Sequence, residues 1–370
     1  MKNKPTRLWC DFETYCDLDI KKVGLYRYME HESFHPWCLA YAVDDEDVKL
    51  WVNGGDFPSD LSDLLKNKDT KIYAHNAEFE ICVFKWSGYD IPLKQFIDTQ
   101  ALSATFGYPL GLDKFCKAVR LPVGKDTKGT RLINKLCKLQ KKTIKNPSGR
   151  WFPDTAPQDF VDLYAYCISD VEIMRKAVKR LPTEELSSLE QYIWGHTVMQ
   201  NQRGVYIDID SVNNISEVLQ NFKNLKERQF ELATGGLRPT QTAKVKAFLN
   251  KIGSDISNLT RETVDTYLAK DIPGKCRTIL ELRKQTAKSS IAKFSRMQQM
   301  CGEGNRVRGN LVYYGGHTGR FAGRGIQIHN LPRASVKYPE EVITDFNTLP
   351  FIRVSEKYPD INQTASALIR

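Results

Sequence analysis

The sequence has no Cys-x-x-Cys pair and no histidine cluster beside its nine cysteines, an odd number. That excludes a structural zinc site of the usual spacing and argues against a disulfide framework, leaving reduced thiols as the simpler reading. No apolar run approaches the ~20 residues of a membrane helix. The first residues, Met1-Lys2-Asn3-Lys4-Pro5, lead into an acidic strand without the apolar core of a signal peptide. No Gly-Lys-Ser/Thr ending marks a phosphate-cradling loop. A soluble, cytoplasmic protein with no membrane partner is the expectation.

What is present is charge. A formal net charge of +10 over 370 residues favours a polyanionic partner, nucleic acid first. The length allows two or three domains.

Arg7-Leu8-Trp9-Cys10-Asp11-Phe12-Glu13-Thr14 reads as a strand, with Leu8, Cys10 and Phe12 on one face and Trp9, Asp11 and Glu13 on the other. Two neighbouring carboxylates on an apolar strand either lie in solvent or share a hard cation such as Mg²⁺. Further strands are predicted over 37–43, 48–52 and 71–76, and a helix over 77–85 with Asn76 as its N-cap. Glu80 sits near the start of that helix, where the dipole favours an acid in any case.

Ten Lys or Arg residues face one acid, Asp126, between Arg120 and Arg150. Glycines and Asn146-Pro147-Ser148-Gly149 break this stretch, which reads as a mobile basic loop or hairpin. Lys138, Lys141 and Lys142 are its candidate phosphate contacts. Residues 158–181 return to helical spacing, and Tyr166 and Asp170, four apart, share one face. Leu181-Pro182-Thr183 reads as a boundary. A charged, mainly helical stretch follows, in which Thr240 is a plausible N-cap. From Gly315 to Arg333 the chain is dense in glycine, with Thr318, Arg320, Arg324, Gln327, Asn330 and Arg333 suited to phosphate, sugar or base edges. After Arg333 no clear order is expected.

Taken in order, Asp11-x-Glu13, Asn76-x-x-x-Glu80 and Tyr166-x-x-x-Asp170 resemble the three motifs of the DnaQ-like 3′–5′ exonuclease superfamily. The segment from Thr318-Gly319-Arg320 to Gln327-Ile328-His329-Asn330-Leu331-Pro332-Arg333 is similar to the template-primer motif of family A DNA polymerases, especially the phage branch. The resemblance implies an α/β fold: an RNase H-like mixed-sheet exonuclease domain over 1–182, with the basic loop at 120–150. It implies a helical thumb-like region over 183–300, then the start of a palm over 301–370. Asp11, Glu13, Glu80 and Asp170 would bind two Mg²⁺ or Mn²⁺ ions, and Tyr166 would orient the attacking water. Asn76 would touch DNA. The expected partner is a single-stranded or frayed 3′ end or a primer-template, in a host cytoplasm if phage-encoded. Two departures stand out: Glu80 replaces the more usual Asp, and the palm and fingers motifs are missing. Asp345-Phe346-Asn347 imitates the palm motif only superficially. A second polypeptide carrying palm and fingers is therefore one expectation. A stand-alone exonuclease with a remnant polymerase segment and a non-catalytic DNA-binding subunit are the others.

Overall fold

A computed structural model describes residues 5–122, 127–286, 290–316, 318–332 and 335–369. The chain divides into two compact units, residues 1–206 with 300–329, and residues 207–299 with 330–370. The chain passes from one unit to the other after residues 206, 299 and 329.

The first unit is built on a five-stranded sheet, ordered β3-β2-β1-β4-β5, of β1 (Arg7–Tyr15), β2 (His35–Val43), β3 (Lys49–Val52), β4 (Lys71–Ala74) and β5 (Phe96–Asp98). β1 pairs antiparallel with β2, and β2 with β3, while β4 and β5 continue parallel to β1. A central strand covered on both faces is buried along its length and mostly apolar. In β1 every residue is buried except Asp11, which is half-buried. Trp9 stacks on Tyr73 at 4.2 Å between ring centres. Each such fully buried large side chain stabilises the fold by about 1.5–3 kcal/mol.

The helices of this unit are α1 (Ile20–Val23), α2 (Leu25–Met29), α3 (Ser59–Lys66), α4 (Glu78–Trp86), α5 (Thr99–Thr105), α6 (Leu112–Ala118), α7 (Thr127–Leu136), α8 (Pro157–Val178) and α9 (Ser188–Arg203). α8 opens with proline, which tolerates the first helical turn, and packs on β1 and β2 through Leu163, Cys167, Val171 and Met174.

α7 corrects the expectation of a basic loop over residues 127–136, while 138–150, with Lys138, Lys141 and Lys142, is without helix and carries an antiparallel bridge between Thr143 and Asn146. Leu132 and Leu136 recur at helical spacing and are buried against Phe160 and Leu163 of α8. The Trp37 indole donates to the Leu136 carbonyl at 3.1 Å. The density of basic residues hid this stripe, because the apolar residues are few and Lys128, Arg131 and Lys135 repeat at the same helical spacing beside them.

The remaining strands of the unit are short: β6 (Val205–Tyr206), β7 (Cys301–Gly302), β8 (Arg306–Val307), β9 (Leu311–Val312) and β10 (Ala322–Gly323). β6, β8 and β7 form one sheet and β9 with β10 another, which carries the glycine-rich segment. All nine cysteines are free thiols.

The second unit is helical: α10 (Ile209–Thr234), α11 (Thr242–Lys251), α12 (Arg261–Leu268), α13 (Gly274–Thr286), most of α14 (Ser290–Met300), α15 (Pro339–Thr348), α16 (Phe351–Lys357) and α17 (Ile361–Ala367). Asp208 caps α10, its carboxylate accepting from the Ser211 N–H at 3.2 Å, and Gly235 ends it in a left-handed turn at φ 71°. Phe230, Val245, Leu249, Ile279 and Leu280 form a core. Gln241, not Thr240, precedes the first turn of α11. Residues 335–369 hold three helices, contrary to the expectation of no clear order. Pro339 starts α15, Asp360 caps α17, and Val342, Phe346, Val354 and Ile361 are buried. Asp345 lies inside α15, where its carboxylate accepts from Lys357 and Tyr358, a helix-to-helix tie.

Among the described residues no helix is long and apolar enough to cross a membrane.

Candidate active site

β1 sets Asp11 opposite Ala40 and Glu13 opposite Cys38, so small neighbours on β2 leave room beside both carboxylates. α4 brings Glu80, and α8 brings Tyr166 and Asp170 one turn apart. Asn76 does not cap α4 as expected: Ala77 holds that place, without a side-chain hydrogen bond. Asn76 is left-handed at φ 65°, a conformation asparagine tolerates better than most residues. Its N–H donates to Asp98 at 3.0 Å, and its carbonyl accepts from the Phe79 N–H at 3.0 Å. That bend redirects the chain from β4 into α4 and so aims Glu80 at β1.

The acids lie in one another's field, with Asp11 at the centre. Burial pushes its carboxyl well above the usual carboxylate range, the charge of Asp170 adds to this, and a hydrogen bond from the Cys167 thiol opposes it. Glu13 is raised by burial and then by Asp11, with the Cys137 thiol, 3.7 Å away, opposing. Glu80 is raised by burial and again by Asp11. Burial also raises the Tyr166 phenol, with Asp170 next to it adding through charge and a hydrogen bond.

Four repelling carboxylates in a partly dry site favour either protonation or a cation. The donor set is all carboxylate oxygen, which suits a hard divalent ion. Buried Glu80 Oε2 has no hydrogen-bond partner. Yet among the described residues no three His, Cys, Asp or Glu side chains stand in a geometry ready to hold a metal ion. The chemistry fits, while the side chains do not close around an ion as they stand.

Two further buried acids, Asp98 and Glu78, were missed in the sequence; the charge of Asp98 reaches Glu80. Asp98 ends β5 and caps α5, accepting from the Gln100 and Ala101 N–H groups and from the Trp194 indole at 3.0 Å. Asp98-Thr99 after an apolar pair was a readable capping signal. Glu78 is buried and accepts from the Tyr26 hydroxyl at 2.6 Å and from the Asn201 amide at 3.2 Å. Its burial, with Arg324 opposing, raises its carboxyl, and no pattern in the sequence announced it.

The basic candidates separate. Lys128 pairs with Asp162, and Arg131 and Lys135 pair with Asp159 of α8. Lys141 and Lys142 are exposed and Lys138 is half-buried, its backbone bridged to Cys16. Thr318, Arg320 and Gln327 are exposed on the first unit, and Asn330 belongs to the second. Arg324 is turned to the protein itself, donating to the Gly309 carbonyl at 3.1 Å and pairing with Glu78. Lys125, Asp126, His317 and Arg333 lie outside the described residues.

With this geometry in view, the chain is similar in fold to a solved polymerase domain. It resembles the POL domain of Pol1 from M. smegmatis, solved in complex with DNA primer-template and dNTP, at a TM-score of 0.53 and 11% identity. The match covers 90% of this chain and 53% of that one. More particularly, the chain is homologous to the DNA polymerase of Bacillus phage SP02, 31% identical over 332 residues, which is 88% of this chain and 51% of that protein. It thus spans about half the length of each relative. No family model matches it.

Proposed function

We propose that this chain is the exonuclease-bearing portion of a phage-type family A DNA polymerase. In this reading residues 1–182 form an RNase H-like proofreading domain that hydrolyses DNA 3′ ends to 5′-nucleoside monophosphates. Residues 183–300 are thumb-like, and 301–370 begin a palm without a polymerase active site. The observation that carries the reading is the mutual electrostatic contact of Asp11 with Glu13, Glu80 and Asp170, drawn from three distant parts of the chain.

Two Mg²⁺ or Mn²⁺ ions bound by these acids would supply an activated water and charge stabilisation for the leaving 3′ oxygen. The chain's own part is to hold the acids. β1 fixes Asp11 and Glu13 through its pairing on both sides. The Asn76 bend fixes Glu80. Tyr166, beside Asp170, offers its hydroxyl to orient the attacking water, and burial keeps that phenol protonated as a donor. Burial of Glu13 and Glu80 keeps bulk water from screening the site.

The test is degradation of a 3′-labelled single strand with Mg²⁺ and with EDTA, followed by dNTP incorporation with this chain alone. Mg²⁺-dependent release of mononucleotides without incorporation is expected. Intact strand under both conditions would leave the second reading, a non-catalytic DNA-binding subunit, which the lack of a metal-ready cluster among the described residues favours.

A further inference from the structure

The first unit holds an open cavity of ≈ 290 Å³ lined by none of the four proposed catalytic acids nor by Tyr166. One wall is the turn between α5 and α6, with Tyr108, Leu110 and Lys114, and the other is Tyr314 with Gly315 and Gly316. Its lining is mostly apolar and among the described residues contains no acid. Lys114 is exposed and has no carboxylate partner among the described residues.

Two features show that these walls are shaped. Tyr314 is left-handed at φ 52°, a strained conformation for an aromatic residue. Such strain persists where the surroundings enforce it, and it clusters at binding sites. Gly319, itself at φ 78°, lies close under its ring: a Cβ there would stand 3.1 Å from it. On the opposite wall the Leu110 carbonyl accepts from Gln100 at 2.9 Å and lies 2.8 Å from the His75 ring. His75 directly precedes the Asn76 bend that aims Glu80. The cavity wall is therefore tied to the same turn that positions the acid.

We infer that this cavity takes one unpaired nucleotide of a DNA strand, its base against Tyr108 and Tyr314 and its phosphate toward Lys114. Aromatic faces stack any base, and glycine edges let a backbone come close. The volume lies at the lower edge of small-molecule sites, which suits one nucleotide and not a paired duplex. A free nucleoside triphosphate is the wrong occupant, since a single lysine meets its several charges. The inference rests on the exonuclease reading for its purpose, the holding of a strand whose 3′ end enters the carboxylate site.

The experiment uses the full chain in EDTA, where no strand is cut, and oligonucleotides carrying one 2-aminopurine at successive positions. Stacking should quench one position selectively. Tyr314→Ala should weaken binding roughly 5- to 100-fold, Tyr314→Phe should retain it, and Lys114→Met should lower the salt slope by about one. Tyr314→Gly separates function from structure: it relieves the strained φ, so thermal stability should hold or rise while binding falls. Unchanged binding in both Tyr314→Gly and Lys114→Met overturns the inference. So does competition by a deoxynucleoside monophosphate as strong as that by the strand. Because no cleavage is read, failure here is distinct from failure of the Mg²⁺-dependent assay.

Discussion

The Arg324 guanidinium stands 3.4 Å from the Glu78 carboxylate, joining the glycine-rich segment to the first turn of the helix that carries Glu80. An arginine that reads in the sequence as a DNA contact is, in the folded chain, the counter-charge of a buried acid.

Arg324→Met should therefore destabilise the protein as well as alter DNA binding. A hydrogen bond to a charged group is worth about 1.5–3 kcal/mol. With the arginine side chain 43% exposed, solvent screening lowers the expectation to roughly 1–2 kcal/mol. Urea denaturation measures it. Combining Arg324→Met with Glu78→Gln should cost less than the two changes summed, because the neutral amide no longer needs a cation.

Asp11→Ala or Asp170→Ala should lower Mg²⁺-dependent 3′-end degradation on the order of a hundredfold or more, with strand binding preserved. A labelled-primer assay paired with a binding measurement reads both. Degradation at the wild-type rate in either variant would remove the proposed site.

Neutralising Lys138, Lys141 and Lys142 together should weaken DNA binding and flatten its dependence on salt. Neutralising Lys128, Arg131 and Lys135 should do so less, since their charges already face Asp159 and Asp162. Salt slopes unchanged from the wild type in both triple variants would show that neither group meets phosphate.

The Lys135 hydrogen bond holds Asp159 below the usual carboxylate range; burial opposes this and Arg131 adds to it. A carboxylate whose folded pKa is depressed stabilises the fold above its unfolded value, about 3.9. That contribution is lost as pH falls through the lower folded value. The stability advantage of the wild type over Asp159→Asn should thus be full at roughly pH 5 and shrink toward pH 3. Denaturation curves across that window check it.

Some of this was legible in the residues themselves. Alternating apolar side chains gave β1 to β4, and helical spacing gave α4 and α8, because each buries a regular face. The four acids and Tyr166 stood out only through the order of three motifs that resemble a known superfamily, since each alone reads as an ordinary solvated or helix-face residue. β5 escaped notice because three residues carry no period. The bend at Asn76 was misread as a cap because asparagine serves both roles, and only the backbone tells them apart. The roles of Glu78 and Arg324 depend on residues far apart in the chain meeting one another, which no local pattern encodes.

The first unit is assembled from two stretches of chain, 1–206 and 300–329. During synthesis its main sheet can form while everything after Tyr206 is still to be made. Until the later stretch emerges, Val205 has no strand to pair with, Asn201 lacks Leu311 and Glu78 lacks its arginine. A gene cut at residue 206 would thus yield the five-stranded sheet and its helices with an unfinished wall, prone to sticking to its neighbours, and supplying 300–329 as a separate peptide should mend it.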